Sequence, residues 1–410
     1  MQSPRDATGR HDGRVLRMGI LGMGVSGAHI ARAMKAMPNI ELVAAADTRP
    51  AGLAAFEKRY GGRTYASAEE ICADPDVDAL WIATPNQYHC EHAVIAAEHG
   101  KHLIIEKPIA ITMDEATRML EAVERSGVSM VCGHTQSYTP RARATLAILR
   151  SGALGAVRAL HVWAFTDWML RARAPVDLDP ALGGGVPFRQ APHQVDTLRV
   201  LGGGMVRSVR GMVGQWMPER PIPGYYTAYL EFEDGTPATL MHNGYGYLNA
   251  SELVDWGTDS FRGSPESRSA IRKQLLAGTW DEAQDKEEEY LGGAQEAAQA
   301  RRGPEEGPWI PDDLGILVVS CERGDIRYSP HGIYVYDGEG KREVPVEGRH
   351  MAGNAELTEL YDAVVLGKPL SHSGPWGAAT LEVCLAIMES ARERKEVYLQ
   401  HQVPTPAHYA

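Results

Sequence analysis

Short apolar stretches alternate with longer amphipathic ones along the first third of the chain. The apolar stretches have the length of buried strands, and the amphipathic ones have the periodicity of helices that pack on one side. This alternation is typical of a parallel sheet covered by helices, so a doubly wound α/β domain is predicted over 15–140. The predicted strands lie at 15–21, 42–46, 78–83, 102–105 and 129–132.

The pattern changes after residue 140, where predicted strands follow one another without intervening helices. This order favours an antiparallel sheet, so a second, α+β domain is predicted over 141–400. Within it, 257–310 is polar and charged, which predicts a helical insertion that either faces solvent or forms a lid or subunit contact. The predicted strands lie at 157–163, 207–213, 225–232, 237–243, 316–320, 325–328 and 333–336, and the predicted helices at 141–151, 190–201, 354–366 and 376–394.

Length and composition agree with two domains, since 410 residues are too many for one compact core. The formal net charge of −12 argues against a nucleic-acid binder, and no apolar run approaches the roughly 20 residues of a membrane span. The polar segment 1–14 lacks the apolar region of a secretory signal, so a loose tail is predicted there. Five dispersed cysteines without a CxxC pair indicate reduced thiols, and a cytoplasmic protein is expected.

A glycine motif, GMGVSG, stands between the first predicted strand and the first predicted helix. Gly22 permits a tight turn, Gly24 lets a pyrophosphate approach the backbone, and Gly27 lets helix and strand pack closely. Asp47 ends the second strand, where a carboxylate accepts hydrogen bonds from ribose hydroxyls and repels a 2′-phosphate. The motif therefore predicts a dinucleotide cofactor, NAD rather than NADP, although Arg49 could meet a phosphate.

Two loops follow later strands of this domain, at the edge where ligands bind in open α/β sheets. The first contains Thr84, Pro85 and Asn86, and the second contains Lys107. Near a positively charged nicotinamide ring the pKa of this lysine would fall, which suits proton transfer. On position alone, a solvated surface lysine is an equal alternative.

The stretch GGGVPFRQAPHQVD places Arg189 four residues before His193, on the same face of a predicted helix. His193 is placed to move protons, whereas the planar guanidinium of Arg189 suits a carboxylate and cannot act as a base near neutral pH. A metal site built on His193 and Asp196 lacks a defined ligand set, so no metal is predicted.

The loop DWMLRARAPVDLD supplies further candidates. Arg171 and Arg173 either add positive charge to this site or are solvated surface arginines. Trp168 either packs on the flat ring of a substrate or is an ordinary core aromatic.

Five motifs occur in order at sensible spacing: GMGVSG, ATPNQYH, EKPIA, VCGHTQSYTP, and GGG followed by PHQVD. Together they resemble the glucose–fructose oxidoreductase/inositol dehydrogenase (Gfo/Idh/MocA) family over about residues 15–400. The resemblance implies a Rossmann domain, a C-terminal α+β domain with a large, open, mostly antiparallel sheet, and substrate bound between them. It also implies homodimers or homotetramers that pair through that sheet.

The resemblance further assigns roles to single residues. It implies that Lys107 of EKP is the catalytic lysine and that His193 is the second acid–base group. The predicted cofactor-binding residues are Gly22, Met23, Gly24, Val25, Gly27, Asp47, Thr48, Arg49, Ala83, Thr84, Pro85, Asn86, His89, Glu106, Lys107 and Gln136. The predicted substrate-binding residues are Arg189, Gln190, Asp196, Arg171, Arg173 and Trp168.

One departure from the family pattern narrows the substrate. Many sugar-oxidising members carry an aspartate where this chain has Arg189, which favours a small anionic substrate over a plain sugar. The stretches FTDWMLRARAPVDLD and GGGVPFRQAPHQVDTLRVLGGGMVRSVRG are also similar to bacterial 4,5-dihydroxyphthalate (phthalate 4,5-cis-dihydrodiol) dehydrogenases. The resemblance thus implies NAD-dependent oxidation of a carboxylated cyclic cis-diol. The alternatives are a sugar, sugar-acid or cyclitol dehydrogenase, and a non-catalytic NAD-binding regulator.

Overall fold

The computed structural model of the chain describes residues 14–133, 136–256, 265–290, 308–348 and 354–409. The loose tail predicted at 1–14 lies outside these residues except for Arg14. The helical insertion predicted at 257–310 is described only over 265–290 and from 308 onward.

The first unit has the doubly wound architecture that the sequence pattern predicts. Its strands are β1 Leu16–Leu21, β2 Ile40–Ala46, β3 Arg63–Tyr65, β4 Ala79–Ile82, β5 His102–Glu106 and β6 Met130–Gly133, and its first helices are α1 Val25–Ala36, α2 Pro50–Tyr60, α3 Ala68–Ala73, α4 His89–Glu98 and α5 Met113–Ser126. All neighbouring strands are parallel, in the order β3-β2-β1-β4-β5-β6. The order reverses between β1 and β4, so their carboxyl ends flank the crevice where such sheets bind ligands.

A late segment of the chain belongs to this first unit as well. Helix α10, Asn354–Leu366, buries Leu357 and Leu360 in the same apolar cluster as Met18 and Ile20 of β1. The sequence assigned this helix to the domain at 141–400. The observed domain division differs from the predicted one for a physical reason. Two buried leucines three residues apart give the helix an apolar stripe, but such a stripe does not determine which of two cores the helix packs against.

The second unit is built on a large sheet. Its strands are β7 Val157–Phe165, β8 Val206–Gly214, β9 Tyr225–Phe232, β10 Pro237–Asn243, β11 Ile316–Cys321, β12 Gly324–Tyr328, β13 Gly332–Asp337, β14 Gly340–Pro345 and β15 Val397–Tyr398, and its helices are α6 Pro140–Arg150, α7 Val186–Leu201, α8 Pro265–Ala277, α9 Glu282–Tyr290 and α11 Gly374–Glu393. The strand order is β14-β13-β12-β11-β7-β10-β9-β8-β15. Among the described strands of this sheet, only β7 and β10 pair in parallel, which confirms the predicted mostly antiparallel sheet.

One face of this sheet packs against α7, and the other leaves large side chains exposed. Buried and exposed residues alternate along β7, so that Leu160 and Val162 enter the core while Trp163 is 45% exposed. Met212 and Tyr229 are exposed on neighbouring strands. The short strands β3 and β15 and the polar strand β14 were missed because they lack an apolar alternation.

No described helix combines the length and the apolar composition that crossing a membrane requires.

Candidate active site

The glycine motif forms the turn between β1 and α1 that the sequence predicts. Gly22 has a φ of +100°, and a Cβ at this position would lie 2.8 Å from the Ala83 carbonyl carbon. A Cβ on Gly27 would overlap the carbonyl oxygen of Gly22. Helix α1 begins after Gly24 and has no side-chain cap among the described residues. The N–H groups of its first turn therefore suit a pyrophosphate, and the absence of side chains on the glycines lets such a group approach the backbone closely.

Asp47 faces the glycine turn with a buried, charged carboxylate. Its side chain is 6% exposed, and its Oδ2 accepts a hydrogen bond of 2.6 Å from the Met23 N–H. Its Oδ1 accepts from the backbone N–H and the Nε of Arg49, at 2.8 and 3.0 Å. Burial raises the pKa of Asp47, but the bonds from the Arg49 side chain and from both backbone amides outweigh it and hold the pKa below its usual range.

His89 connects the two loops at the carboxyl edge of the sheet. The ring is fully buried, with Nδ1 2.9 Å from the Pro108 carbonyl oxygen and Nε2 2.8 Å from the Thr84 carbonyl oxygen. A neutral imidazole has one N–H and can donate to only one of these carbonyls, whereas a protonated ring donates to both. In either state the ring holds the loop after β4 beside the residue that follows Lys107.

Glu106, at the end of β5, is fixed by two side chains. Ser26 of α1 donates a hydrogen bond of 2.5 Å to its Oε1, and the Trp81 indole donates one of 3.3 Å to the same atom. Lys107 follows directly and is partly exposed. The other predicted cofactor-binding residues of this unit lie at the same edge of the sheet: Val25, Thr48, Ala83, Pro85 and Asn86. Gln136 lies in the second unit, just before α6.

Helix α7 carries the predicted acid–base histidine of the second unit. His193 is 8% exposed and Gln190 is 6% exposed, and the Gln190 Oε1 has no hydrogen-bond partner among the described residues. Asp196 is fully buried, and its Oδ1 accepts a hydrogen bond of 2.6 Å from the Trp376 indole. Asp196 therefore bonds to a side chain in the core of the unit, and the substrate-binding role predicted for Asp196 stays a prediction.

The glycine run before α7 brings distant segments to the start of this helix. A Cβ on Gly184 would lie 2.6 Å from the Asp177 carbonyl oxygen, so only glycine lets the 175–178 turn pack here. That approach places Asp177 in an ion pair with Arg189. On the other side, the N–H of Val186 donates to the Pro223 carbonyl oxygen at 2.8 Å, which brings the β8–β9 loop close.

The predicted arginines lie in one cluster within this unit. Arg171 pairs with Asp167 at 2.9 Å and with Asp313 at 3.1 Å. The guanidinium of Arg173 lies 3.8 Å over the Trp168 ring and donates to the Trp168 carbonyl oxygen.

These contacts shift the two guanidinium pKa values in opposite directions. Burial lowers the pKa of Arg171, but Asp313 and Asp167 outweigh it and raise the pKa above its usual value. Burial and then the charge of Arg171 lower the pKa of Arg173 well below its usual value, Arg189 and Arg220 add to this, and Asp313 opposes it. The arginine cluster thus contains a cation that its surroundings undercompensate, which an anionic ligand would stabilise.

Two members of this cluster were missed by sequence reasoning. Arg220, in the loop between β8 and β9, is 2% exposed and donates a 2.5 Å hydrogen bond to Glu282 of α9. Arg220 stands in the segment ERPIPG, which has no periodic pattern, and Glu282 belongs to the charged insertion predicted to face solvent. Only tertiary packing brings them together.

No group of three or more His, Cys, Asp or Glu side chains in the described part of the chain is arranged to hold a metal ion. The Asp196 Oδ1, which the metal alternative would need as a ligand, accepts a hydrogen bond from the Trp376 indole instead.

Family models match both units. Residues 16–134 match the Gfo/Idh/MocA oxidoreductase family, NAD-binding Rossmann fold, and residues 142–250 match the Gfo/Idh/MocA C-terminal domain.

Relatives match nearly the whole chain. A 1-carboxy-3-chloro-3,4-dihydroxycyclohexa-1,5-diene dehydrogenase from Comamonas testosteroni is 32% identical over 92% of this chain and 95% of its own length. A crystal structure from Bordetella bronchiseptica RB50 is 36% identical, with a TM-score of 0.84, and covers 94% of this chain and 100% of its own. Levoglucosan dehydrogenase in complex with NADH has a TM-score of 0.73 at 20% identity, covering 94% of this chain and 100% of its own, which shows the shared fold alone. With a dinucleotide turn, family models that match both units and relatives of this extent, the chain belongs to the Gfo/Idh/MocA family of oxidoreductases.

Proposed function

We propose that the chain is an NAD-dependent dehydrogenase of a carboxylated cyclic cis-diol, with phthalate 4,5-cis-dihydrodiol as the substrate and 4,5-dihydroxyphthalate as the product. The observation that carries the proposal is the arginine cluster beside α7, the helix that bears His193; within it the Arg220 side chain is buried and donates to Glu282 through a single nitrogen. Planar guanidinium groups bind carboxylates through paired hydrogen bonds, so such a cluster suits an acid better than a neutral sugar. The Comamonas testosteroni relative, whose name describes a carboxylated dihydroxycyclohexadiene, supports the same class.

The residues of the first unit fit a dinucleotide. Gly22 and Gly27 leave space that a Cβ would fill, and Asp47 offers a charged carboxylate where an adenosine ribose would lie. We favour NAD over NADP because Asp47 repels a 2′-phosphate. Arg49 partly neutralises this charge, since its guanidinium donates to the Asp47 Oδ2 at 3.0 Å. When bound, NAD supplies the acceptor for the hydride that leaves the substrate carbon.

The chain itself has to bind the acid, hold the diol and remove a proton. Arg189, four residues before His193, would hold a carboxylate and fix the ring relative to that histidine. Lys107 or His193 would accept the hydroxyl proton, directly or through water, as the C–H bond breaks. The two hydrogen atoms leave as a hydride and a proton, and the resulting ketone tautomerises to a catechol. Aromatisation favours this direction, so positioning and a base are the main requirements.

The test is NADH formation by the purified protein with phthalate 4,5-cis-dihydrodiol, alongside myo-inositol, glucose and a uronic acid. Turnover with the dihydrodiol and none with the polyols is the expected result. Turnover with the uronic acid alone would replace the proposal by a sugar-acid dehydrogenase, for which Arg189 would still hold a carboxylate. NAD binding without turnover of any substrate would favour a non-catalytic regulator.

The predicted homodimer or homotetramer stays a proposal. It is supported by the exposed Trp163, Met212 and Tyr229 on the sheet of the second unit, because large apolar side chains gathered on one face are typical of subunit contacts.

A further inference from the structure

Arg220 is a buried cation with most of its hydrogen-bonding capacity unused. Its Nη2 donates to the Glu282 Oε1 at 2.5 Å, while its Nε and Nη1 have no acceptor among the described residues. The guanidinium lies 5.0 Å from the centre of the Trp280 ring. Burying a guanidinium whose Nε and Nη1 lack acceptors lowers the stability of the folded chain. These two donors therefore indicate a ligand that binds after folding.

Glu282 also contacts Arg173, but through the Arg173 backbone and not through its guanidinium. The Oε1 that accepts from Arg220 accepts a 2.7 Å hydrogen bond from the backbone N–H of Arg173. The Arg173 guanidinium forms no ion pair with any described residue and donates only to the Trp168 carbonyl oxygen. The one carboxylate oxygen therefore serves the Arg220 guanidinium and the Arg173 backbone amide, while the Arg173 guanidinium forms no ion pair among the described residues.

The contact between Arg220 and Glu282 is also incomplete in its geometry. A guanidinium binds a carboxylate best through two neighbouring N–H groups, either Nε with Nη2 or Nη1 with Nη2. Glu282 uses only Nη2, the nitrogen that both pairs have in common, so each pair is half used. A ligand carboxylate at this place could take Nη2 and one of the two unused nitrogens together.

The other arginines of the cluster are already balanced. Arg171 has Asp167 and Asp313, and Arg189 has Asp177. The surplus positive charge is thus local to Arg173 and Arg220, at the place where the insertion reaches the cluster.

We propose that Arg220 and Arg173 form a second carboxylate subsite, besides Arg189, which Glu282 occupies in the free chain and a dicarboxylate displaces. The proposal rests on the proposed function in taking the substrate to be a cyclic acid with two carboxylates, and it adds which residues hold the second of them. It gives the insertion a role as well, since α9 supplies the competing group. Discrimination between one and two carboxylates is then a property of Arg220.

The experiment measures binding rather than turnover, so that it can fail separately from the proposed function. Phthalate and benzoate, which differ by one carboxylate, are titrated calorimetrically into the full chain with saturating NAD. The variants are Arg220→Gln and Glu282→Gln, and the control is Arg158→Gln, which removes an exposed Arg–Glu pair in the same unit. Far-ultraviolet circular dichroism checks that each variant folds.

The wild type should bind phthalate about tenfold or more tightly than benzoate. Arg220→Gln should reduce this preference to within about twofold and leave benzoate binding unchanged, because the first carboxylate keeps Arg189. Glu282→Gln should tighten phthalate binding by about threefold or more, since the competing charge is gone. Arg158→Gln should change nothing.

Several results would overturn the subsite. They are no preference for phthalate in the wild type, an equal loss of both ligands in Arg220→Gln, and weaker phthalate binding in Glu282→Gln. The last variant keeps the proposal testable should Arg220→Gln not fold, because Glu282 is only partly buried. If the dihydrodiol is not oxidised while the preference depends on Arg220, the subsite stands and the proposed function fails. If the dihydrodiol is oxidised while Arg220→Gln is silent, the subsite alone fails.

Discussion

The two units prepare their ligand sites by different means. In the first unit, the groups proposed to bind the cofactor are mainly backbone: the glycine turn, the amides at the start of α1, and the loop carbonyls held by His89. In the second unit they are side chains, and the positively charged ones are the guanidinium groups of the arginine cluster, of which Arg220 is buried. Backbone sites accept any ligand with the common phosphate and ribose parts, whereas the arginines select by charge. On the proposed function, the first unit thus sets the class of reaction, and the second sets the substrate.

The largest effect should come from Lys107, which tests whether the first unit does chemistry or only binds. Lys107→Ala should lower kcat by about 10²–10⁴-fold, the usual contribution of a general acid–base group, and leave the Kd for NAD within about threefold. Steady-state kinetics and calorimetry measure the two quantities. Lys58→Ala, an exposed lysine of α2, is the matched control. Unchanged kcat in Lys107→Ala would contradict the enzymatic account of this loop.

Gly27→Ala tests whether the cofactor site depends on backbone shape. The added methyl overlaps the Gly22 carbonyl oxygen, so the turn has to open. We expect a destabilisation of about 1–3 kcal/mol from overpacking and a loss of NAD affinity of at least about tenfold. Urea unfolding and calorimetry provide the measurements. Gly338→Ala, where the new Cβ meets nothing within 4 Å, should be silent; equal effects of both would remove the argument from shape.

Asp47→Asn tests the charged side chain that faces the glycine turn of the first unit. Loss of the negative charge should reduce the preference for NAD over NADP by about tenfold, because repulsion of the 2′-phosphate disappears. The ratio of the two kcat/KM values measures this preference. An unchanged ratio would mean that Arg49 already cancels the charge.

The smallest effect concerns pH. The pKa of Asp47 is lowered in the folded chain, so its stabilisation is complete above the unfolded value of about 3.9 and is lost as the pH falls through the lower folded value. The difference in the free energy of unfolding between wild type and Asp47→Asn should therefore stay constant from about pH 5 to pH 8 and shrink only below about pH 4. Urea unfolding across this range measures it, and a step near neutral pH would count against the assignment.

The same contrast explains what the sequence predicts. The parallel sheet, the glycine turn and Asp47 follow from local patterns, because strand, turn and helix are adjacent in the chain. Arg189 is a candidate for the same reason, because it stands one helical turn from His193 in the sequence. Arg220 and Glu282 are 62 residues apart and meet through packing of an insertion, which no local periodicity encodes. The sequence likewise did not predict that α10 belongs to the first unit, since an apolar stripe shows that a helix packs on a core but not on which one.

The central claim is that the second unit selects a carboxylate through Arg189. The most direct measurement compares kcat/KM of wild type, Arg189→Gln and Arg189→Lys with phthalate 4,5-cis-dihydrodiol and with the same cyclohexadiene cis-diol lacking carboxylates. For the acid, the account predicts a fall of about 10–100-fold in Arg189→Gln and partial retention in Arg189→Lys, which keeps charge without the planar fork. For the uncharged diol it predicts slow turnover that both variants leave unchanged. Equal turnover of both diols by the wild type, or equal losses on both in Arg189→Gln, would contradict the claim.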